Sequence, residues 1–187
     1  QAFYAANARS VAERHHSIES PAARYLEAAF PAGGRVLDLG TGSGRDLALL
    51  LSRGHDALGL EPSAELRACA LDRHPELRGR LFPGALPDAI PDDPAFAAPF
   101  DGLLCCAVLQ HLPPSELPAA ARTLAGLLAP EGGLLLSLPV GREVEEERRD
   151  RFDRLFSGLE ADTLAELLAA HGLVEEALHH DPDALRR

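Results

Sequence analysis

The stretch VLDLGTGSGRD, residues 36–46, carries three glycines at alternate positions directly after a short apolar run that contains one carboxylate. Glycine lacks a Cβ atom and tolerates positive φ, so Gly40, Gly42 and Gly44 allow the backbone to turn sharply and to approach a ligand closely. One glycine would suffice for a tight turn, so the repeated spacing favours a ligand-binding turn. In an open parallel sheet, the first turn from strand to helix is the usual site for a phosphate or a nucleoside.

Apolar runs and helical segments alternate on both sides of this turn. The alternation predicts an α/β fold: a doubly wound, mostly parallel, Rossmann-like sheet with helices on both faces. The predicted strands are residues 35–39, 56–61, 80–84, 100–109, 132–140 and 173–180. The predicted helices are residues 44–53, a helix with Ser63 as N-cap, residues 115–129, and a helix from the N-cap Asp162 to Gly172 at C′.

Three segments lie outside these βαβ units. Residues 3–30 predict a helical extension in two pieces, with Pro21 in the first turn of the second piece. Five prolines between positions 83 and 99 predict an irregular loop. Residues 141–151 are almost all charged, which predicts a solvated loop or helix face, with a cap over a substrate pocket as the alternative.

The composition excludes several classes of partner. The 187 residues fit one domain, and their net charge of -11 argues against nucleic acid, because cationic contacts dominate nucleic-acid affinity. No apolar run reaches the length of a membrane span, so we expect no membrane partner. The three cysteines do not form a disulfide framework, and no secretory signal is visible, so we expect a cytoplasmic location. Arginine without lysine indicates a GC-rich, bacterial genome.

The spacing of the glycines limits which class of ligand the turn can bind. A dinucleotide fingerprint reads G-x-G-x-x-G, but the third glycine here falls one position early, before Arg45. A phosphate-binding P-loop ends in Gly-Lys, and this chain contains no lysine. Glu61 ends the second predicted strand, where a carboxylate can accept hydrogen bonds from both hydroxyls of a ribose. A ribose without a pyrophosphate indicates an adenosyl sulfonium.

Four motifs in register carry a resemblance to a known family. VLDLGTGSG, ALGLEPS, FDGLLCCAVLQHLPP and GGLLLSLP, spread over about residues 35–140, resemble the class I S-adenosylmethionine-dependent methyltransferases, in particular the small-molecule branch of the methyltransferase type 11/12 kind. The resemblance implies S-adenosylmethionine as cofactor and S-adenosylhomocysteine as product. It also implies transfer of the methyl group to a small-molecule acceptor.

The resemblance further assigns residues to the cofactor site. Asp38, Gly40 and Gly42 would lie along the methionine part, Glu61 would hold the ribose, and Pro62 and Ser63 would flank the adenosine. Thr41 would be a further cofactor contact. The family often places an acidic residue after the third strand to meet the adenine amino group, but this sequence has Gly84, Ala85 and Leu86 there. Only backbone contacts from Ala85 and Leu86 carry over. The residues nearest the methyl group would be Cys106, Ala107 and Val108, with Tyr4 of the extension as a further cofactor contact.

His111 is the candidate general base, because an imidazole titrates near neutrality and would lie beside the pocket mouth. The alternative is a structural histidine that holds its loop by a backbone hydrogen bond. We interpret Cys105 and Cys106 as small buried residues of a strand and not as nucleophiles. The remaining paired histidines, His15, His16, His179 and His180, lack metal-ligand spacing, so no metal site is expected.

The organisation that follows is one domain over residues 1–187. Residues 1–30 form an extension or a lid, residues 31–140 the cofactor-binding core, and residues 141–187 the C-terminal part. The family's final antiparallel strand has no counterpart after residue 180, and the chain has no methionine, so we expect an incomplete sequence. The alternative to an incomplete sequence is an exposed groove in the sheet that another chain fills. We expect the protein to be a monomer or a homodimer. A non-catalytic sensor or partner subunit that binds the same cofactor remains the alternative function.

Overall fold

The computed structural model describes residues 2–139 and 154–181. Its strands are β1 Arg35–Leu39, β2 Asp56–Leu60, β3 Leu81–Phe82, β4 Phe100–Cys106 and β5 Leu128–Ser137. Its helices are α1 Ala2–His16, α2 Leu26–Ala29, α3 Arg45–Ser52, α4 Ala64–Arg73, α5 Leu117–Leu127 and α6 Ala161–Ala169. Single 3₁₀ turns follow at Pro75–Leu77, Pro94–Phe96, Leu109–His111 and Pro114–Glu116.

The sheet order is β3-β2-β1-β4-β5, and every neighbouring pair is parallel. The order reverses direction between β1 and β4, so the crevice beyond their carboxyl ends is the topological switch point of the sheet. The residues after β1, β2 and β4 therefore meet at one edge. This architecture confirms the predicted doubly wound α/β fold.

Two apolar layers cover the sheet because successive strand residues point to opposite faces. On one face Val36, Ala57 and Leu104 pack against α3. On the other face the residues beside them pack against α5 and α6, namely Leu37, Leu58, Leu103 and Cys105. Each fully buried leucine contributes about 1.5–3 kcal/mol relative to an exposed one, so both layers hold the sheet in place.

Local helix signals were predicted with mixed success. Ser63 is the N-cap of α4, and its hydroxyl accepts a hydrogen bond from the Leu66 N–H at 3.2 Å. Asp162 is not the N-cap of α6, because the helix begins at Ala161 after Glu160. Gly172, with φ +83°, follows α6 at C′, since its N–H bonds Ala169 O and the Leu173 N–H bonds Leu168 O.

The predicted sixth strand is wrong. Residues 173–180 form no strand, and Val174 and Leu178 are exposed instead of packing on the sheet. The segment runs against the extension, where Tyr25 donates to the Asp181 carboxylate at 2.8 Å and stacks on the His179 ring. The consecutive glutamates of LVEEALHH break the strict alternation that a half-buried strand requires.

The extension and the fifth strand differ from their predicted bounds. The first helix runs to His16, with non-helical dihedrals at Asn7, whereas the second is only the four residues of α2. Pro21 lies in a turn that precedes α2, not in its first turn. β5 starts at Leu128, earlier than predicted, because Leu128 already pairs with Phe100 of β4, ahead of the glycine pair.

No helix in residues 2–139 or 154–181 is long and apolar enough to cross a membrane. The charged segment 141–151 lies outside the described residues. All five described strands are parallel, so the family's final antiparallel strand is not among them.

Candidate functional site

The glycine turn is fixed by backbone hydrogen bonds to the end of β2. The N–H groups of Gly40 and Thr41 both donate to the carbonyl of Leu60, at 2.8 and 2.9 Å. The Gly44 N–H closes the turn on the Thr41 carbonyl at 3.1 Å, just before α3 begins. Gly40 and Gly42 have φ of +73° and +59°, a region that favours glycine.

The three glycines of the turn differ in the atoms that a Cβ at each position would meet. A Cβ on Gly40 would lie 2.5 Å from Val108 Cγ2, and one on Gly44 would lie 2.7 Å from Leu77 Cδ1. A Cβ on Gly42 would have its nearest atoms at 3.8 Å, one of them in the His15 ring. Two of the glycines are therefore required by packing within the protein. Of the three, only Gly42 could carry a Cβ at ordinary contact distances, so packing within the protein does not explain this glycine.

Glu61 joins the two loops at the switch point. It is buried, its Oε2 accepts from the Gly42 N–H at 2.9 Å, and its Oε1 accepts from the Ser63 N–H at 2.8 Å. Burial raises the pKa of this carboxyl, and the two amide hydrogen bonds partly oppose that rise. A carboxylate offers about four lone-pair sites, so each oxygen can accept one further hydrogen bond.

Asp38 lies beside this carboxylate at the end of β1. It is 3% exposed, and its Oδ2 has no hydrogen-bond donor among the described residues. Burial raises its pKa well above the ordinary value, and the nearby carboxylates of Asp46 and Glu61 raise it further. A buried carboxylate without a partner is costly, so this position favours a ligand that brings a cation or a hydrogen-bond donor.

The loop after β3 offers less than predicted. Ala85 exchanges both backbone hydrogen bonds with Ala89, at 3.0 and 2.9 Å, so the Ala85 N–H is already used. The expected Ala85 contact with adenine can come only through its carbonyl. Leu86 is buried in the core layer beside α5. On the other side of the crevice, Pro62 is exposed while Ser63 is buried.

The end of β4 places a strained residue beside the glycine turn. Ala107 has φ +54°, which is uncommon for a residue with a side chain, and its N–H bonds the Ser137 carbonyl. Burial raises the pKa of the Cys106 thiol to about 12 and raises that of Cys105 as well. A raised pKa keeps a thiol protonated at neutral pH, so this environment disfavours a nucleophilic role for either cysteine.

His111 has partners on both ring nitrogens. Its Nδ1 lies 2.7 Å from the Leu155 carbonyl, which only accepts, so Nδ1 carries the proton. Its Nε2 lies 3.0 Å from the hydroxyl of Tyr4, which then donates to it. The structure thus brings Tyr4 of α1 to the 3₁₀ turn after β4, although the two residues are 107 positions apart.

Two residues near the turn were not predicted from the sequence. His15 at the end of α1 lies beside Gly42, and burial together with the Arg45 charge lowers its pKa to about 4. Arg45 donates to the His15 carbonyl at 2.9 Å and forms an ion pair with Asp46 at 3.0 Å. Neither residue belongs to a spacing motif, because the end of α1 reaches the turn only through tertiary packing.

One further polar group lies near the β4 end. The Gln110 side chain is buried, and its Oε1 has no hydrogen-bond partner among the described residues. Within residues 2–139 and 154–181, no group of three or more His, Cys, Asp or Glu side chains is arranged to hold a metal ion.

Comparisons with proteins of known sequence find methyltransferases. The family model described as a methyltransferase domain matches residues 12–178. An uncharacterised methyltransferase of Geobacillus kaustophilus is 30% identical over 154 residues, which cover 75% of this chain and 69% of the relative. The chain spans 49% to 69% of the length of the curated relatives that it matches.

Solved structures agree with the fold. A TehB-like S-adenosylmethionine-dependent methyltransferase from Corynebacterium glutamicum has a TM-score of 0.69 at 21% identity, over 89% of this chain and 83% of that one. The 1,6-didemethyltoxoflavin-N1-methyltransferase of Burkholderia thailandensis has a TM-score of 0.64 at 26% identity, over 92% and 77% of the two chains. The family model, the relatives and the parallel sheet agree, and the chain belongs to the methyltransferase domain family.

Proposed function

We propose that this protein is an S-adenosylmethionine-dependent methyltransferase that acts on a small-molecule acceptor. The observation that carries the proposal is the cluster at the switch point: the buried Oδ2 of Asp38 without a donor among the described residues, Gly42 without a close packing contact at its Cβ position, and Glu61 with lone pairs to spare. Membership of the methyltransferase domain family supports the reaction type.

The residues of the crevice fit the cofactor's functional groups. We assign the ammonium of the methionine part to the Asp38 carboxylate, because its Oδ2 lacks a donor among the described residues. We assign the ribose hydroxyls to Glu61, whose oxygens each use one lone pair on a backbone amide. Pro62, Ser63 and the Ala85–Leu86 backbone remain proposed contacts for the rest of the adenosine, and Thr41 remains a proposed cofactor contact. Gly40 supports the site indirectly, through its contact with Val108.

When bound, S-adenosylmethionine supplies a methyl carbon that is already activated by its sulfonium leaving group. The chain therefore needs mainly to align the acceptor with that carbon and to exclude water. We assign the alignment to Cys106, the last residue of β4, and to Ala107 and Val108, which follow it beside the glycine turn. The extension would cover the crevice, since α1 lies against α4 and brings Tyr4 to His111.

We propose His111 as the base for an acceptor that must lose a proton. Donation from Nδ1 to the Leu155 carbonyl fixes the tautomer and leaves Nε2 as the basic nitrogen. Nε2 accepts from Tyr4 in the present conformation, so the Tyr4 hydroxyl must turn away before Nε2 can receive the acceptor's proton. Tyr4 is thus proposed as a positioning residue, beside its predicted contact with the cofactor.

A small-molecule acceptor is supported by two observations. The net charge of -11 disfavours nucleic acid, and the similar Burkholderia thailandensis enzyme holds 1,6-didemethyltoxoflavin with S-adenosylhomocysteine. The predictions of one domain with residues 1–30 as its lid, a cytoplasmic location, and a monomer or homodimer belong to the same proposal.

A methyl-transfer screen tests this proposal. The purified chain would be incubated with S-adenosylmethionine and a panel of phenols, amines, thiols and carboxylic acids, and release of S-adenosylhomocysteine would be measured. We expect acceptor-dependent release that falls at least tenfold in Asp38→Asn. Binding of the cofactor without release for any acceptor would instead support the non-catalytic sensor. The exposed variant His180→Gln serves as the matched control, with release unchanged.

A further inference from the structure

Two histidines form a direct contact between the extension and the core. His16, the last residue of α1, and His74, which follows α4, have their Nε2 atoms 2.8 Å apart. Their rings are nearly parallel, with centroids 5.0 Å apart and an interplanar angle of 26°. An imidazole pair at this distance is a hydrogen bond, so one of the two nitrogens must carry a proton.

The other nitrogen of each ring is already committed. His16 Nδ1 lies 2.8 Å from the Ala12 carbonyl, and His74 Nδ1 lies 3.3 Å from the Glu76 carboxylate. A carbonyl and an ionised carboxylate can only accept, so both Nδ1 atoms act as donors. If both rings were neutral, two Nε2 lone pairs would face each other. If both were charged, two N–H groups would do so. The arrangement is satisfied only by one extra proton on the pair.

We propose that His16 and His74 share a single proton, and that this shared proton holds α1 closed over the glycine turn. This hydrogen-bonded pair of His16 and His74, called the strap below, is strongest at intermediate pH. It loses its central hydrogen bond in strong acid, where both rings are charged. As pH rises past the ordinary imidazole value of about 6.5, the pair loses its extra proton, and with it one of its three hydrogen bonds.

The strap is placed to affect the glycine turn. A Cβ on Gly44 would lie 3.4 Å from the His74 ring, and His15, the neighbour of His16, lies beside Gly42. Arg45, the first residue of α3, donates to the His15 carbonyl and ties the same end of α1 to the turn. Opening the strap would therefore loosen the chain directly over Gly42. Only this consequence for cofactor binding rests on the proposed function.

The charged groups around the histidine pair affect how readily it takes up its extra proton. Burial lowers the pKa of His74, the Glu76 hydrogen bond opposes that effect, and His16 and Arg73 add to it. Burial therefore favours the neutral His74 ring, so the pair takes up its extra proton only below the ordinary imidazole value of about 6.5. The other titratable and charged groups around the pair are Arg9, Glu13, Cys69, Asp72 and Arg73 in the adjoining groove and the neighbouring Arg14 and His15.

The test is an NMR titration of the imidazole nitrogens in the full chain, with ¹⁵N labelling and EDTA present. We expect His16 and His74 to titrate together in two steps separated by more than about 1 pH unit, as coupled groups do. In His74→Gln, His16 should titrate in one step, and His16→Gln should have the converse effect on His74. The exposed His171→Gln is the matched control and should leave both resonances unchanged.

Independent single-step titrations of His16 and His74, unaltered by substitution of the partner, would overturn the proposal. A second measurement follows S-adenosylmethionine affinity against pH by calorimetry. We expect an optimum in the wild type that is flattened at least threefold in His74→Gln. A wild type that binds no S-adenosylmethionine at any pH would refute the proposed function, while the NMR titration would still decide whether the proton is shared.

Discussion

Replacing Gly40 with alanine tests the finding that this glycine is required by packing rather than by a ligand. Its φ is +73°, a region that costs a residue with a Cβ about 1–2 kcal/mol. The new methyl group would also lie 2.5 Å from Val108 Cγ2, and forced overpacking of this kind costs about 1–3 kcal/mol. We therefore expect Gly40→Ala to lower the free energy of unfolding by about 2–5 kcal/mol.

Gly54 provides the matched control for backbone strain. It has φ +85°, and nothing lies within 4 Å of the position that its Cβ would take. Gly54→Ala should thus cost only the strain, about 1–2 kcal/mol. Chemical unfolding in urea, with the midpoint and the slope both recorded, measures the difference between the two variants.

The contact with Val108 can be isolated by a double-mutant cycle. Val108→Ala removes the methyl group that a Cβ on Gly40 would strike, so the double variant should recover about 1–3 kcal/mol relative to additivity. Equal losses in Gly40→Ala and Gly54→Ala, or additive effects in the double variant, would refute the reasoning.

Four further predictions concern the site. Gly42→Ala should cost no more stability than Gly54→Ala but should weaken S-adenosylmethionine binding at least tenfold in calorimetry; unchanged affinity would show that Gly42 faces no ligand. Asp38→Asn should raise the urea midpoint of the cofactor-free protein at pH 8, because the raised pKa of Asp38 means that its ionised form opposes folding, and the gain should vanish as pH falls below the ordinary value of about 4; a lower midpoint at pH 8 would contradict this. His111→Ala should lower kcat about 100-fold with a working acceptor, whereas Tyr4→Phe, which breaks only the hydrogen bond to Nε2 and keeps the imidazole, should not; equal kcat in both would dismiss the base. Cys106→Ala should keep kcat within about threefold, since a thiol with a pKa raised to about 12 is not a nucleophile; a loss beyond tenfold would require another role.

Much of the core could be predicted because its signals are local. β1, β2 and β4 read as short apolar runs, and the turn after β1 carries its own glycines. The N-cap at Ser63 depends on residues only three positions apart. Such features need no tertiary information, so the sequence was sufficient for them.

The rest depends on contacts between distant residues. The sequence does not show that Gly40 faces Val108, because 68 positions separate these two residues. The places of His15 and His16 also follow from how α1 packs on α4. The predicted strand at residues 173–180 is wrong for a local reason, because its consecutive glutamates break the alternation of a half-buried strand, and it pairs with none of the described strands.

Calorimetry of the purified chain with S-adenosylmethionine, S-adenosylhomocysteine and NADH tests the central claim most directly. The cluster of Asp38, Gly42 and Glu61 predicts saturable binding of the two adenosyl ligands, no binding of NADH, and at least tenfold weaker binding in Glu61→Ala. Binding of NADH without S-adenosylmethionine, or an affinity for S-adenosylmethionine that does not depend on Glu61, would contradict the account.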